Sequence, residues 1–530
     1  MKQEPMRQFN TTGLCVPEKH YMVDLSGRLE QIKTMVDRGD YFTINRGRQY
    51  GKTTTLRELH KRLNAEYICI RISFEGIGDE PFEAPEVFCR TFMELVQDAL
   101  EISSLAEDAG YIASWLDASV SSFMALGRHI TKLCKDRKLV LMIDEVDKSS
   151  NYRIYINFLG MLRDKYQRRR DSVATFHSVI FAGVYDIKNI KMKIIQQGVY
   201  SPTTTEGTVY NSPWNIAADY KVDMSFNPED IVAMLNEYEG DYHTGMDSTA
   251  IAREIHGYSG GYPFLVSRIC KLIDEDLDKK WTLAGVQEAV RLVLDEQNTL
   301  FDDMIKNLEM YSDLYQFIYE LLIVGEKKLN SVQDTVVNRA LMFCFLKRQD
   351  NKQVVIHNRI FEIVISKYML TKDAREKKEK RVIGILKQDV VRDGRFDMEL
   401  ALRKFAKHYR ELFNEDDLAF LERQGKMLFL SYIAPLLNGD GFYHIESQLS
   451  DLRRMDIVVD YNREQFIIEL KIWHGEAGHE AAYDQLAGYL RSKGAKQGYL
   501  VTFDLRKSAN RDPREDWVNL GDLCLFDVVL

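Results

Sequence analysis

The first 185 residues alternate short strand-like runs with longer stretches whose apolar residues recur at helical spacing. The runs cover residues 41–44, 65–74, 139–143 and 178–182, and the last two are apolar apart from Ser178. Strands buried on both faces of a parallel sheet have this composition. Between the runs, residues 85–103 and 122–134 have helical periodicity. The alternation predicts an α/β fold with a parallel sheet.

The strand pattern fades after about residue 225, where Asn227 and Pro228 have the residue types of an N-cap and a first helical position. Helical periodicity then continues for about 100 residues. Residues 331–369 combine two helical stretches with a hairpin-like piece at 352–357, which is compatible with a winged helix.

A charge-rich stretch separates this region from a second α/β pattern. Residues 371–381 hold six basic and three acidic side chains, which is typical of a solvated helix or linker, with a DNA-contacting segment as the alternative. Beyond it, residues 398–438 have helical periodicity. Four further strands and one helix are predicted, the strands at 444–448, 455–460, 465–472 and 498–503 and the helix at 477–493.

Composition limits the class of protein. The chain has 530 residues, 45% of them hydrophobic and 28% charged, which fits three or four globular domains. A formal net charge of −9 argues against coating long nucleic acids by bulk charge. Seven scattered cysteines without a C-x-x-C pair favour neither disulfides nor a zinc site. With no signal-peptide core and no apolar run of membrane-spanning length, we expect a cytoplasmic protein.

A phosphate-binding loop is predicted where the first strand ends. Glycines in the sequence NRGRQYGKTT, residues 45–54, allow backbone N–H groups to approach a phosphate. Lys52 is expected to reach the β- and γ-phosphates, and the Thr53 hydroxyl to bind Mg²⁺. Arg46 occupies the first glycine position of the strict motif, and Gly47 can replace it by shifting the turn. The predicted nucleotide-binding residues are Gly47, Arg48, Gln49, Tyr50, Gly51, Lys52, Thr53 and Thr54.

Two acids complete the predicted nucleotide site. Asp144 and Glu145 follow the apolar run at 139–143. Asp144 is expected to hold Mg²⁺ through water, and Glu145 to polarise the attacking water as a catalytic residue. The alternative is that both are strand-end acids that cap the next helix.

Together these motifs resemble the AAA-like P-loop ATPases and the signal-transducing ATPases. Residues 259–263, SGGYP, resemble the G-G-x-P motif that opens a lid helix near the nucleotide, and residues 9–23 resemble the segment before the loop. The resemblance covers about residues 9–370 and implies ATP with Mg²⁺. It departs where residues 178–182 end in Gly183 and Val184 instead of a polar sensor. Candidates for an arginine finger or lid arginine are Arg163, Arg168, Arg169, Arg170 and Arg268, with a solvated surface as the alternative.

The C-terminal strands carry a second constellation. Asp456 begins one strand, and Glu469 and Lys471 share one face of the next because side chains alternate along a strand. A turn at 461–464 would bring Asp456 beside Glu469. Oxygen atoms of Asp456, Glu469 and the Leu470 carbonyl suit Mg²⁺ or Mn²⁺. Lys471 is suited to orient or deprotonate the attacking water, and Glu446 to reach the same place.

This order of elements resembles the PD-(D/E)XK nucleases, over about residues 400–530. The resemblance implies catalytic roles for Glu446, Asp456, Glu469 and Lys471, with Gln485 and Tyr489 as supporting or DNA-contacting residues. Arg453 stands where that family has glycine. His444, His474 and His479 flank the site without the spacing of a zinc set, and solvent-facing or capping roles are expected for them. Ordinary strand-end charges are the alternative for the acids.

The sequence therefore predicts an ATP-binding and ATP-hydrolysing protein with a Mg²⁺-dependent DNA nuclease gated by nucleotide. The pairing of these two domains resembles proteins associated with mobile elements or anti-phage defence. The alternative is a signalling or scaffold ATPase whose nuclease-like domain binds nucleic acid without cleaving it. The expected partners are DNA and further copies of the chain. Membrane association is not expected. The predicted domains are an ATPase core at 1–225, a helical lid at 226–300, a winged helix at 301–370, a linker at 371–397 and a nuclease-like domain at 398–530.

Overall fold

The computed structural model divides the chain into two compact units. The N-terminal unit comprises Met1–His256, Gly261–Lys271 and Met342–Cys344, and the C-terminal unit comprises the rest. The structure describes residues 7–102, 109–146, 153–183, 216–324, 328–331, 333–349, 352–376, 387–412, 418–437, 441–447, 455–462, 464–504, 506 and 513–530. None of the described helices is long and apolar enough to cross a membrane.

A four-stranded parallel sheet forms the centre of the N-terminal unit. Its strands are β1 (Tyr41–Asn45), β2 (Ile68–Ser73), β3 (Leu139–Asp144) and β4 (Ser178–Gly183), in the order β1-β4-β3-β2. Every residue of β3 and β4 is buried. The helices are α1 (Ser26–Asp37), α2 (Lys52–Leu63), α3 (Pro85–Glu101), α4 (Ala109–Ala113), α5 (Phe123–Leu133) and α6 (Arg153–Gln167), of which α3 and α5 match the predicted stretches at 85–103 and 122–134. The prediction of a parallel α/β sheet is confirmed.

A helical region begins at the predicted cap. Asn227 Oδ1 accepts a hydrogen bond from Asp230 N at 2.7 Å, and Asp230 Oδ2 accepts one from Asn227 N at 2.9 Å. This capping box satisfies backbone donors that the first helical turn leaves unpaired. The helices are α7 (Pro228–Tyr242), α8 (Ser248–Ser259), α9 (Pro263–Glu275), α10 (Leu283–Asp295), α11 (Thr299–Met310) and α12 (Ser312–Tyr319), followed by a π-helical turn at Glu320–Val324.

The stretch with mixed periodicity contains a small antiparallel sheet. Strands β5 (Lys328–Leu329), β6 (Leu346–Gln349) and β7 (Gln353–Ile356) lie in the order β5-β7-β6, between helices α13 (Thr335–Met342) and α14 (Arg359–Glu376). The two helices match the prediction, but the predicted hairpin-like piece at 352–357 contains only β7, and its partners β6 and β5 lie outside that piece. Of the charged stretch at 371–381, the first six residues belong to α14 and the rest lie outside the described residues.

A six-stranded mixed sheet dominates the end of the C-terminal unit. After a two-stranded hairpin, β8 (Val391–Arg392) and β9 (Arg395–Phe396), come helices α15 (Met398–Leu412) and α16 (Leu418–Leu437). The sheet order is β10-β11-β12-β13-β15-β14, with parallel pairs β12–β13 and β13–β15 and antiparallel pairs elsewhere. Its strands are β10 (Gly441–Ser447), β11 (Met455–Tyr461), β12 (Glu464–Ile472), β13 (Gln497–Phe503), β14 (Arg514–Leu520) and β15 (Leu523–Val529), with α17 (Glu476–Lys493) between β12 and β13.

Two strands of this sheet were missing from the sequence prediction. Strand β14 lies at the sheet edge, and its side chains are exposed or half-buried. Strand β15 is an apolar run interrupted by Asp527, which is buried. Burial explains the run, because β15 lies between β13 and β14 and helices α15 and α17 pack against it.

Candidate functional site

The loop between β1 and α2 has the geometry of a phosphate-binding turn. Gly51, the residue before α2, has φ = 79°, and Gln49 has φ = 55°. A Cβ atom on Gly51 would meet no atom within 4 Å, so glycine is needed there for its backbone angle and not for space. The first N–H groups of α2 thus face the loop, where a helix N-terminus favours an anion.

The Lys52 side chain lies over the start of this loop. It is buried, and its Nζ donates hydrogen bonds to the carbonyl oxygens of Arg46 at 3.1 Å and Gly47 at 2.9 Å. The positive charge therefore lies among the residues that sequence analysis assigned to phosphate binding.

The proposed magnesium ligands are brought together across the sheet. Thr53 Oγ1 donates to Asp144 Oδ2 at 2.8 Å, 91 residues apart in sequence. Asp144 is 5% exposed at the end of β3, and its Oδ1 accepts from Glu145 N at 3.0 Å. A hydroxyl and a carboxylate are hard oxygen donors, so Thr53 and Asp144 fit Mg²⁺. Glu145 adjoins them in an uncommon left-handed backbone conformation, with φ = 53°.

Side chains from distant parts of the sequence support the loop. Tyr262, in the SGGYP segment, donates its hydroxyl hydrogen to Arg48 O, and its ring meets the Tyr50 ring edge-on at 4.6 Å. Gly47 N donates to Cys344 Sγ at 3.4 Å, and burial raises the pKa of the Cys344 thiol. Sequence reasoning missed Cys344. It is 297 residues from Gly47 and belongs to no motif that could have pointed to it.

A cavity of about 330 Å³ adjoins the loop. It is bounded by Gln49, Tyr50 and Gly51 of the loop, by Gly13 and Tyr21 of the segment before α1, and by Phe226 before α7. Its size falls in the range of small-ligand sites. Aromatic rings beside a phosphate-binding loop suit a nucleotide base.

The arginine-finger candidates lie in different parts of the fold. Arg169 donates to Gly39 O at 2.7 Å and His177 O at 2.6 Å, and it lies over the Tyr41 ring at 4.7 Å. Because Gly39 precedes β1 and His177 precedes β4, Arg169 lies at the amino end of the sheet, opposite the loop. These contacts hold the amino end of the sheet together, and a role of Arg169 as an arginine finger stays a prediction.

For the other arginine candidates, the structure offers less evidence about their roles. Arg168 forms an exposed ion pair with Asp164, as a solvated helix face would. Arg163 lies on α6 and Arg268 on α9, and both stay candidates. Strand β4 ends at Gly183 as predicted, and Val184 lies outside the described residues.

In the C-terminal unit, three predicted residues come together. Glu469 is 1% exposed and forms an ion pair with Lys471 on the same face of β12. Lys471 Nζ also donates to Gln485 Oε1 of α17 at 3.2 Å. Tyr489, one turn further along α17, is buried. Leu470 pairs with Val501 in the neighbouring strand β13.

Backbone register brings the remaining acids to the same place in the sheet. Glu446 of β10 pairs with Asp456 of β11. Ile457 of β11 pairs with Ile468 of β12 in antiparallel register. Asp456 and Glu469 are the next residues along these strands, so they are neighbours, as expected from a turn at 461–464. Description of Glu446 and Asp456 is limited to their backbone, and Arg453 lies outside the described residues. Among the side chains that are described, no three His, Cys, Asp or Glu form a metal cluster.

The expectation of a solvent-facing or capping His479 is wrong. His479 is buried, and its Nε2 lies 2.9 Å from Asp527 Oδ2, which also accepts from the Tyr483 hydroxyl at 2.7 Å. Thr502 Oγ1 lies 3.4 Å from His479 Nδ1. These contacts join α17 to β13 and β15. His474 is exposed as expected, and the His444 side chain lies outside the described residues.

Comparison with known proteins identifies the N-terminal part. The AAA-like domain family matches residues 18–283, half of the chain. The chain belongs to the AAA-like domain family. This assignment agrees with the parallel sheet, the glycine loop and the Thr53–Asp144 pair, and it implies nucleotide binding, usually with Mg²⁺. The family match ends before the small antiparallel sheet and the six-stranded sheet.

One solved structure is similar at low identity. A Walker-type ATPase of Pyrococcus abyssi matches with a TM-score of 0.46 and 13% sequence identity, over 67% of this chain and 99% of that one. A search of curated proteins finds no match.

Proposed function

We propose that this AAA-like ATPase is also a metal-dependent nuclease that acts on DNA, and that the bound nucleotide controls cleavage. The observation that carries the nuclease proposal is the ion pair between buried Glu469 and half-buried Lys471, with Gln485 beside it. A charged pair in a sheet interior gives little net stability, because desolvation offsets the attraction between the charges. Charged groups kept at such a position are therefore candidates for a functional site.

Each residue has a role that follows from its chemistry. Asp456, Glu469 and the Leu470 carbonyl would hold Mg²⁺ or Mn²⁺, and the ion would supply charge neutralisation at the scissile phosphate. Lys471 would orient the attacking water as an ammonium, or accept its proton as a neutral amine. Gln485 Oε1 fixes the direction of the Lys471 ammonium. Glu446 would act from β10, whose register places it beside Asp456.

The test is cleavage of plasmid and linear DNA with Mg²⁺ or Mn²⁺ by the full chain. Glu469→Gln and Lys471→Met are expected to lower the cleavage rate by about 100-fold or more, as losses of acid–base or metal-binding groups do. Lys496→Ala is the matched control, since Lys496 is an exposed lysine of the same unit. Equal cleavage by all four proteins would contradict the proposal.

One observation favours the alternative of a binding domain without cleavage. Lys471 already contacts both Glu469 and Gln485, so the three side chains can serve to stabilise the sheet and α17. DNA retention by wild type in a gel-shift assay, with no metal-dependent cleavage, would establish the alternative.

A further inference from the structure

We propose that Arg46 and Tyr50 are positioning residues that tie the phosphate-binding loop to the connecting segment, residues 216–226, which leads into α7. Nucleotide binding and the order of this segment would then depend on each other. The inference rests on nucleotide binding by the loop. It adds a route by which that binding can affect the segment that leads into α7.

Arg46 is the residue at which the loop departs from the strict motif. Its Nη1 donates to Asn45 O and its Nη2 to Val222 O, each at 2.7 Å. Its guanidinium also lies 5.4 Å from the centre of the Tyr220 ring. Glycine at this position would make none of these contacts. Arg46 thus connects the loop to the connecting segment, a role that the glycine of the strict motif could not fill.

Tyr50 makes a second bridge four residues later. The residue is 3% exposed, and its Oη lies 2.6 Å from Ser225 Oγ. Val222 and Ser225 are therefore both held by side chains of the loop. Because the loop holds the segment at these two points, we expect a movement of one to affect the other.

The connecting segment is joined in turn to the first helix after it. Arg28 donates to Asp223 O at 3.0 Å and to Ser225 O at 2.7 Å, and it forms an ion pair with Asp230 in the first turn of α7. Phe226 N donates to Gly261 O at 2.8 Å. A displacement of the segment therefore reaches the helices on both sides of the SGGYP motif.

Lys52 connects this arrangement to the phosphates. Its Nζ donates to Arg46 O, on the same residue whose side chain holds Val222. When Lys52 reaches a phosphate, the hydrogen bonding of Arg46 changes as well. The Arg46 hydrogen bonds to described residues go to carbonyl oxygens, which leaves its charge free to attract phosphate.

The experiment measures nucleotide affinity and the order of the segment separately, on the full chain. A fluorescent ATP analogue with Mg²⁺ gives the dissociation constant. Trypsin cleavage after Lys221, an exposed residue of the segment, is followed by mass spectrometry with and without ATP. The variants are Arg46→Gly, which restores the strict motif, Arg46→Lys and Tyr50→Phe. Arg71→Ala, at an exposed arginine of β2, is the control.

Arg46→Gly is expected to bind the analogue about tenfold more weakly, the usual effect of losing a charge-assisted hydrogen bond. It should also be cleaved faster after Lys221 and lose the protection that ATP gives wild type. Tyr50→Phe should show a smaller change in the same direction, and Arg46→Lys should recover part of the affinity and protection. Arg71→Ala should match wild type.

Two results would overturn the inference. In one, Arg46→Gly binds as tightly as wild type, so that glycine serves equally well. In the other, cleavage after Lys221 rises without any change in affinity or in protection by ATP, so that the bridge is only structural. If wild type does not bind the analogue, nucleotide binding by the loop fails. Cleavage without ATP would still show whether Arg46 holds the segment.

Discussion

At the scale of single residues, Lys52 carries the clearest prediction. Lys52→Ala should weaken ATP binding by about tenfold to 100-fold, because it removes the loop lysine expected to reach the β- and γ-phosphates. The measurement is titration with ATP and Mg²⁺ by calorimetry. Lys61→Ala, on the same helix α2, removes only an ion pair with Glu58 and should bind as wild type does. Unchanged affinity in Lys52→Ala would refute the assignment of the loop.

His177 predicts a pH dependence of stability. Burial lowers the pKa of its imidazole below the ordinary 6.5, and Arg169 and Lys138 act in the same direction, against Asp37 and a backbone hydrogen bond. Since the folded state then resists protonation, the unfolded state binds more protons below pH 6.5. Stability contributed by neutral His177 is complete above that pH and falls as the pH decreases.

The check is urea unfolding of wild type and His177→Phe at pH 8 and pH 5. Phenylalanine keeps the stacking that His177 makes on the Tyr67 ring, at 5.1 Å between ring centres, but cannot be protonated. The loss of stability between the two pH values should be smaller in the variant. An equal loss in both proteins would show that His177 does not contribute.

At the scale of elements, the connection between α8 and α9 depends on glycine. Gly261 has φ = 72°, and a Cβ atom there would lie 2.0 Å from Phe226 O. Gly261→Ala should therefore lower the free energy of unfolding by about 2 kcal/mol or more, through backbone strain and a forced shift of Phe226. Because Tyr262 follows directly and contacts Arg48, ATP affinity should fall too.

Gly257→Ala is the matched control for that substitution. Gly257 lies within α8, and a Cβ atom there meets nothing within 4 Å. Alanine favours a helix over glycine by about 1 kcal/mol, so this variant should be as stable as wild type or more stable. Similar losses from both substitutions would contradict the steric explanation.

At the scale of the whole molecule, ATP and DNA are expected to act through separate sites. Lys52→Ala should retain metal-dependent DNA cleavage but lose its response to ATP, because only the nucleotide site is altered. Glu469→Gln should bind ATP normally and lose cleavage. The assay compares cleavage with ATP, with a non-hydrolysable analogue and without nucleotide. Equal cleavage rates of wild type under all three conditions would refute control of cleavage by nucleotide.

Periodicity in the sequence was enough to predict the parallel sheet and most strands of the second sheet. The four strands of the parallel sheet, the cap at Asn227 and four strands of the second sheet were predicted to within a few residues, because uniform apolar runs mark strands buried on both faces. Strand β14 was missed because an edge strand lacks that pattern, and β15 because Asp527 interrupts it. Lys52, Thr53 and Asp144 were recognisable because phosphate and Mg²⁺ binding restrict the residue types.

Only the tertiary structure decided which distant side chains meet. Cys344 at Gly47, Val222 at Arg46 and Asp527 at His479 are separated by 297, 176 and 48 residues, and no local pattern relates them. The fold also places Arg169 at the amino end of the sheet, away from the loop of the same chain. Local sequence determines helix and strand through backbone and burial preferences. Contacts between elements depend on how their faces pack, and that is settled only when the whole chain folds.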